Sequence, residues 1–170
     1  MAVVTEYGSL YMGKVLNTDP QELAGNEYAG GRVYSSLERI NIGVGDEANS
    51  RYFIARIPKA AVLLPTTMYR VTAAVTGTFD VGDVSNVDAL IDGSAGAANT
   101  TSMLGNPVAT TWVPGVVDIG KPLWQLIGYA SSGVAPSQID LYVTLLGSTQ
   151  ATADAGIFFN FQYTLPGYLG

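Results

Sequence analysis

From Val33 onward, apolar residues fall on every second position. Ile40, Ile42 and Val44 alternate with Arg39, Asn41 and Gly43. In Arg51–Ile57, Phe53, Ala55 and Ile57 share one parity and Tyr52, Ile54 and Arg56 the other. A short apolar run, Ala61 to Leu64, lies between Pro58 and Pro65. "MYRVTAAVTGTF" sets Tyr69, Val71, Ala73, Val75 and Phe79 against Arg70, Thr72, Ala74, Thr76 and Thr78. Trp112 and Val116 lie in a stretch broken by Pro114-Gly115, and "PLWQLIGY" continues the apolar theme. Ile139, Leu141, Val143 and Leu145 oppose Gln138, Asp140, Tyr142 and Thr144. Ile157, Phe159, Phe161, Tyr163 and Leu165 oppose Phe158, Asn160, Gln162 and Thr164. Side chains of a strand point alternately to its two faces, so each segment reads as a half-buried strand. About eight strands divided by turn residues predict an all-β sandwich or barrel. The one short helix candidate lies within Ala95–Leu104, and no repeat of fixed period is present.

Residues 1–32 do not share this pattern. "MAVVTEYGSLYMGKVL" has scattered apolar residues, and "LNTDPQELAGNEYAGGR" is polar and rich in breakers: Asp19-Pro20, Gly25-Asn26 and Gly30-Gly31. Asp19 and Pro20 could start a single helical turn over Pro20–Leu23. The segment reads as an arm that orders on a partner.

Composition narrows the function classes. With 170 residues the chain fits one domain. Charged residues make up only 13% and apolar ones 48%, against a usual charged share of about 25%. So few charges suit a surface partly covered by other copies or by another protein. The sequence contains no Cys and no His. Disulfides, thiolate metal sites, Ser-His pairs and imidazole bases are therefore excluded. Net charge is −6; residues 1–70 balance seven basic against seven acidic residues, so residues 71–170 carry the whole excess, with Lys121 their one basic residue. Such a balance argues against nucleic acid as partner and suits docking to a complementary protein surface. Neither a signal peptide nor a membrane span is expected.

The polar residues offer few chemical sites. Asp80, Asp83, Asp88 and Asp92 cluster in "FDVGDVSNVDALIDG" without EF-hand spacing. A solvated loop between strands is expected there, ahead of a calcium site or a carboxylate pair for glycoside hydrolysis. Ser131-Ser132-Gly133 lacks the nucleophile-elbow spacing and reads as a turn. Gly43-Val44-Gly45 opens no phosphate-binding fingerprint, and the Asn99-Thr100-Thr101 triplet is set aside for want of a signal peptide. Arg39, Arg51, Arg56, Lys59 and Arg70 would form either a basic patch or an ordinary charged sheet face. Trp112, Trp124 and the ten Tyr residues would be either a sugar-stacking platform or core and interface residues.

Three stretches carry a family resemblance. "VLNTDPQELAGNEYAGGRV" (Val15–Val33) resembles the N-terminal segment of a class of tailed-bacteriophage virion proteins. "RYFIARIPKAAVLLP" (Arg51–Pro65) resembles their paired strands, and "TGTFDVGDVSNVDALIDG" (Thr76–Gly93) the following strand and acidic loop. The resemblance implies a capsid decoration, or cement, protein. Its fold would be a jelly-roll β-sandwich of roughly eight strands (33–170) with an extended N-terminal arm (1–32). Such proteins form homotrimers on the outer surface of the head and bridge capsomers of the major capsid protein. The arm residues expected to reach a neighbour are Asn17, Asp19, Asn26, Glu27, Tyr28 and Arg32. No catalytic residue, cofactor, metal, nucleic acid or membrane enters this reading. The alternatives are a carbohydrate-binding β-sandwich module, serving as a virion adhesin or tail component, and a hydrolase using Asp80–Asp92.

Overall fold

The computed structural model describes residues 33–104, 112–114, 118, 120–147, 149–151 and 155–165, and the backbone of 5–7. Its strands are β1 (Thr5–Tyr7), β2 (Val33–Ile42), β3 (Arg51–Pro58), β4 (Val62–Leu63), β5 (Met68–Ala73), β6 (Thr78–Gly82), β7 (Ile91–Ala95), β8 (Thr101–Met103), β9 (Gln138–Leu146) and β10 (Ala155–Thr164). Among the described residues one short helix, α1 (Leu123–Ile127), precedes β9.

The strands form two sheets. The first runs β2-β10-β5-β8 and the second β1-β3-β9-β6-β7; β4 pairs with β10. All pairings are antiparallel except β1 with β3. With the short β1 and β4 set aside, eight strands remain. The first and last of these are neighbours in one sheet, and the second and second-last are neighbours in the other. This nesting of β2-β10-β5-β8 against β3-β9-β6-β7 is the jelly roll, a sandwich built from two Greek keys. The fold class expected from the alternating pattern is the one observed.

The core lies between the sheets and takes one parity from most strands; β3, which carries a bulge, contributes Tyr52, Ile54, Ala55 and Ile57. Ile40, Ile42, Val71, Phe159 and Phe161 face inward from the first sheet, and Ile57, Phe79, Leu141 and Val143 from the second. Burying each such side chain contributes roughly 1.5–3 kcal/mol relative to exposure. Tyr69 packs edge-on against Phe79 at 5.5 Å, and its hydroxyl shares a 2.7 Å hydrogen bond with Ser94 Oγ, tying β5 of one sheet to β7 of the other.

Several local expectations are corrected. "MYRVTAAVTGTF" is not one strand: β5 and β6 belong to different sheets, and the chain crosses between them through Gly77, at φ 83°. Phe53 does not share a face with Ala55 and Ile57. A bulge between Phe53 and Ala55 inserts Ile54, so Phe53 pairs with Tyr142 while Ala55 pairs with Leu141. Ala95–Leu104 is not helical; it holds the end of β7, a turn with Asn99 at φ 60°, and β8. Val44 lies beyond β2 and is exposed.

"PLWQLIGY" supplies the helix instead. Pro122 stands at its start and Gly128, left-handed at φ 93°, ends it. Leu123 and Ile127, four residues apart, share its buried side. The first free N–H groups find partners in the turn after β3: Leu123 donates to Ala61 O at 2.7 Å and Trp124 to Lys59 O at 3.1 Å.

Of the segment expected as an arm, the described residues Thr5–Tyr7 pair with Arg51–Phe53 as the edge strand of the second sheet. Asn17, Asp19, Asn26, Glu27, Tyr28 and Arg32 lie outside the described residues.

Candidate interaction face

The outer side of the first sheet is an open, extended surface. Alternation places Val33, Ser35, Leu37, Arg39 and Asn41 of β2 outward, because Ile40 and Ile42 are buried. Strand pairing then fixes their neighbours. Arg39, Phe158, Arg70 and Thr101 form one row across β2, β10, β5 and β8. Leu37, Asn160, Met68 and Met103 form the next, and Ser35 with Gln162 a third. Leu37 is 38% exposed, Met103 41% and Val33 41%; Phe158 and Met68 are half-buried. The result is an apolar strip flanked by two arginines, with amides and hydroxyls beside it. No acidic side chain points outward from these four strands. An exposed apolar patch with a polar margin is the usual mark of a protein-binding surface.

The second sheet presents a different outer side. Phe53 is fully buried there, edge-on to Tyr142 at 5.6 Å, and Thr144 and Asp80 are buried as well. Arg56 is engaged with Asp140 through bonds of 2.6 and 2.8 Å. The five basic residues therefore do not make one patch. Arg39 and Arg70 share the first sheet, while Arg51 and Arg56 lie on the second. Lys59 binds the carbonyls of Ser132 at 2.5 Å and Ala135 at 3.4 Å, fastening the loop before β9. Ser131-Ser132-Gly133 is a turn within that loop, where Ser131 O accepts from Val134 and Ala135 N–H.

The acidic cluster divides by environment. Asp88 and Asp92 are exposed, but Asp80 and Asp83 are buried, so the solvated loop expected there holds for only half of it. Asp80 Oδ1 accepts the Gly93 N–H at 2.7 Å across the β6–β7 bulge. Burial pushes its carboxyl above the ordinary range; the Gly93 bond opposes the shift, and Asp92 and Asp88 add to it. Asp83 Oδ1 accepts Ser85 N–H, Ser85 Oγ and Asn86 N–H at 2.8, 2.7 and 2.8 Å, which closes an Asx turn. Its Oδ2 accepts the Tyr129 hydroxyl at 2.5 Å. Asn86 Nδ2 donates to Ile127 O at 2.9 Å. These bonds fasten the β6–β7 loop to the end of α1. No group of three or more potential metal-ligating side chains occurs among the described residues.

Neither Trp offers an open platform. Trp112 is buried 5.9 Å from the Tyr69 ring, and Trp124 is half-buried against the core. The open face was signalled in the sequence by Phe158 and Leu37, large apolar residues on the polar parity of their strands. No helix among the described residues is long and apolar enough to cross a membrane.

No family model matches the chain, and no curated protein does. Two solved structures match. One is a chain of the Cyanophage Pam1 capsid asymmetric unit, with TM-score 0.53 and 18% identity, covering 88% of this chain and 97% of that one. The other comes from the capsid of Ralstonia phage GP4, with TM-score 0.43 and 16% identity, covering 87% and 94%. The structural neighbours of this jelly roll are thus chains of phage capsids, and its likeness to the Pam1 chain is one of fold.

Proposed function

We propose that the chain is a structural protein of a phage virion, a decoration protein that binds the outer surface of the head as a homotrimer and bridges neighbouring copies of the major capsid protein. The observation that carries this reading is the jelly-roll strand order, in a fold that a chain of the Pam1 capsid asymmetric unit shares over 88% of this chain. Three further features support it. The sequence has neither His nor Cys, it is charge-poor, and the first sheet offers an apolar outer face. Residues 1–32 act as the arm, with Asn17, Asp19, Asn26, Glu27, Tyr28 and Arg32 contacting a neighbouring subunit or the shell. Ordering such a segment on contact lets it cover a large surface, and symmetric repetition adds avidity.

The test is co-sedimentation of the purified chain with capsids stripped of accessory proteins. Saturable binding at a fixed number of copies per capsid is expected. Alanine at all six arm positions should leave the fold intact and remove the binding. An intact chain that never co-sediments would overturn the function. Six-alanine protein that binds at full occupancy would overturn the role of the arm.

A further inference from the structure

The first-sheet face has a complement on the same chain. Arg70 is exposed and makes no ion pair with a described residue. On the edge of the second sheet, Asp92 of β7 and Asp88 of the preceding loop are exposed and likewise unpaired among the described residues. Asp80 Oδ1 accepts the N–H of Gly93, the residue after Asp92, so Asp80 and Asp92 lie close together on this edge. Val84, 64% exposed, belongs to the same loop. That loop is held in shape by the Asp83–Tyr129 and Asn86–Ile127 bonds, which lowers the ordering cost of a contact.

We infer that the basic, apolar face around Arg70, Phe158, Leu37 and Met103 docks the acidic β6–β7 edge around Val84, Asp88 and Asp92 of a second copy. Two first-sheet faces set against each other would bring Arg70 of both copies into a contact to which the described outward side chains of β2, β10, β5 and β8 contribute no acid, an arrangement disfavoured by like-charge repulsion. Docking face to edge instead pairs apolar with apolar and Arg with Asp. Such a contact joins two different surfaces, and it closes into a ring when the rotation permits. The inference rests on the homotrimer of the proposed function and specifies which surfaces build it.

Charge exchange tests it, with the full chain studied by sedimentation velocity. Wild type should self-associate, and more weakly as ionic strength rises. Arg70→Glu alone, and Asp88→Arg with Asp92→Arg, should each raise the dissociation constant by about tenfold or more, because attraction becomes repulsion. Combining the three substitutions should restore most of the loss. These side chains are exposed, so unchanged thermal unfolding serves as the control for folding. A wild-type monomer at every concentration would overturn the inference, as would single-side variants that assemble normally, or a folded triple variant that shows no recovery. A chain that coats capsids as a monomer would remove this interface and leave the decoration reading standing. A chain that assembles as described but ignores capsids would do the reverse.

Discussion

Asp83→Ala should unfasten one end of the sandwich. The carboxylate is 4% exposed and accepts four hydrogen bonds. Two of the donors are backbone N–H groups of the Asx turn, and their loss resembles the loss of a helix cap, about 1–2 kcal/mol. The Tyr129 hydroxyl bonds to a charged acceptor, which is worth up to about 3 kcal/mol when buried. Tyr129 is half-exposed and can take a water in exchange, so about 1 kcal/mol remains. Ser85 is exposed and recovers solvent, contributing little. The sum is about 2–3 kcal/mol, or about 4–12 °C in Tm for a chain of this size. Urea unfolding followed by near-UV circular dichroism reads it. Asp83→Asn keeps the turn acceptor and weakens only the Tyr129 bond, so it should cost about 1 kcal/mol, as should Tyr129→Phe. The pair should cost little more than either alone. The alkaline limb gives a second reading. Donation to Asp83 raises the Tyr129 phenol above its usual value of 10. Its stabilisation is then full below pH 10 and fades as pH climbs through the raised native value, so Tyr129→Phe should show a flatter loss of stability there. The reasoning is refuted if Asp83→Ala lies within about 0.5 kcal/mol of wild type, or if Asp83→Asn and Tyr129→Phe simply add.

Three other substitutions follow from single sites. Asp80→Asn should stabilise the fold at pH 7: the native carboxyl titrates above its unfolded value of 3.8, so its ionisation at neutral pH opposes folding, while an amide still accepts from Gly93. The gain should shrink toward zero as pH falls below the unfolded value, measured by urea midpoints across pH 3–8. Gly82→Ala should cost more than about 3 kcal/mol or prevent folding, since its Cβ would lie 2.0 Å from Asn86 O and 2.7 Å from Val87 C, both backbone atoms; expression and thermal melting read this. Ser102→Ala should be neutral or stabilising by up to about 1 kcal/mol, because the buried Ser102 hydroxyl has no hydrogen-bond partner among the described residues; a fall in Tm would show that it is bonded in solution.

Parity along the chain was the most legible feature of the fold. β2, β9 and β10 are long enough for alternation to speak clearly, and their buried positions follow it except at Thr144 and Gly156. "PLWQLIGY" misled because a short apolar run fits strand and helix alike. Pro122 before it and Gly128 after it were the helix signals, and the pairing of Leu123 with Ile127 four residues on was the third. Phe53 changed face because a bulge adds one residue to a strand, and every parity beyond it inverts. Nothing in "RYFIARI" marks that insertion.

The candidate face was harder to foresee for a topological reason. A jelly roll sends most successive strands to opposite sheets, so nearness in sequence does not give nearness on a surface. Arg51 and Arg39 lie close in the chain but on different sheets. Arg39 and Arg70, far apart in sequence, meet across Phe158 of β10, the last strand in the chain. The strand that completes the fold therefore also completes the face, by placing an aromatic ring between two arginines. This placement explains why the anomaly in the pattern mattered. Phe158 sits where β10 otherwise shows Asn160, Gln162 and Thr164, positions suited to water. A large apolar residue on that parity suits a side that the proposed assembly would cover. On this view the odd parity of Phe158 and Leu37 and the scarcity of charge have one cause. Under the proposed function, both follow from a surface that meets protein rather than solvent.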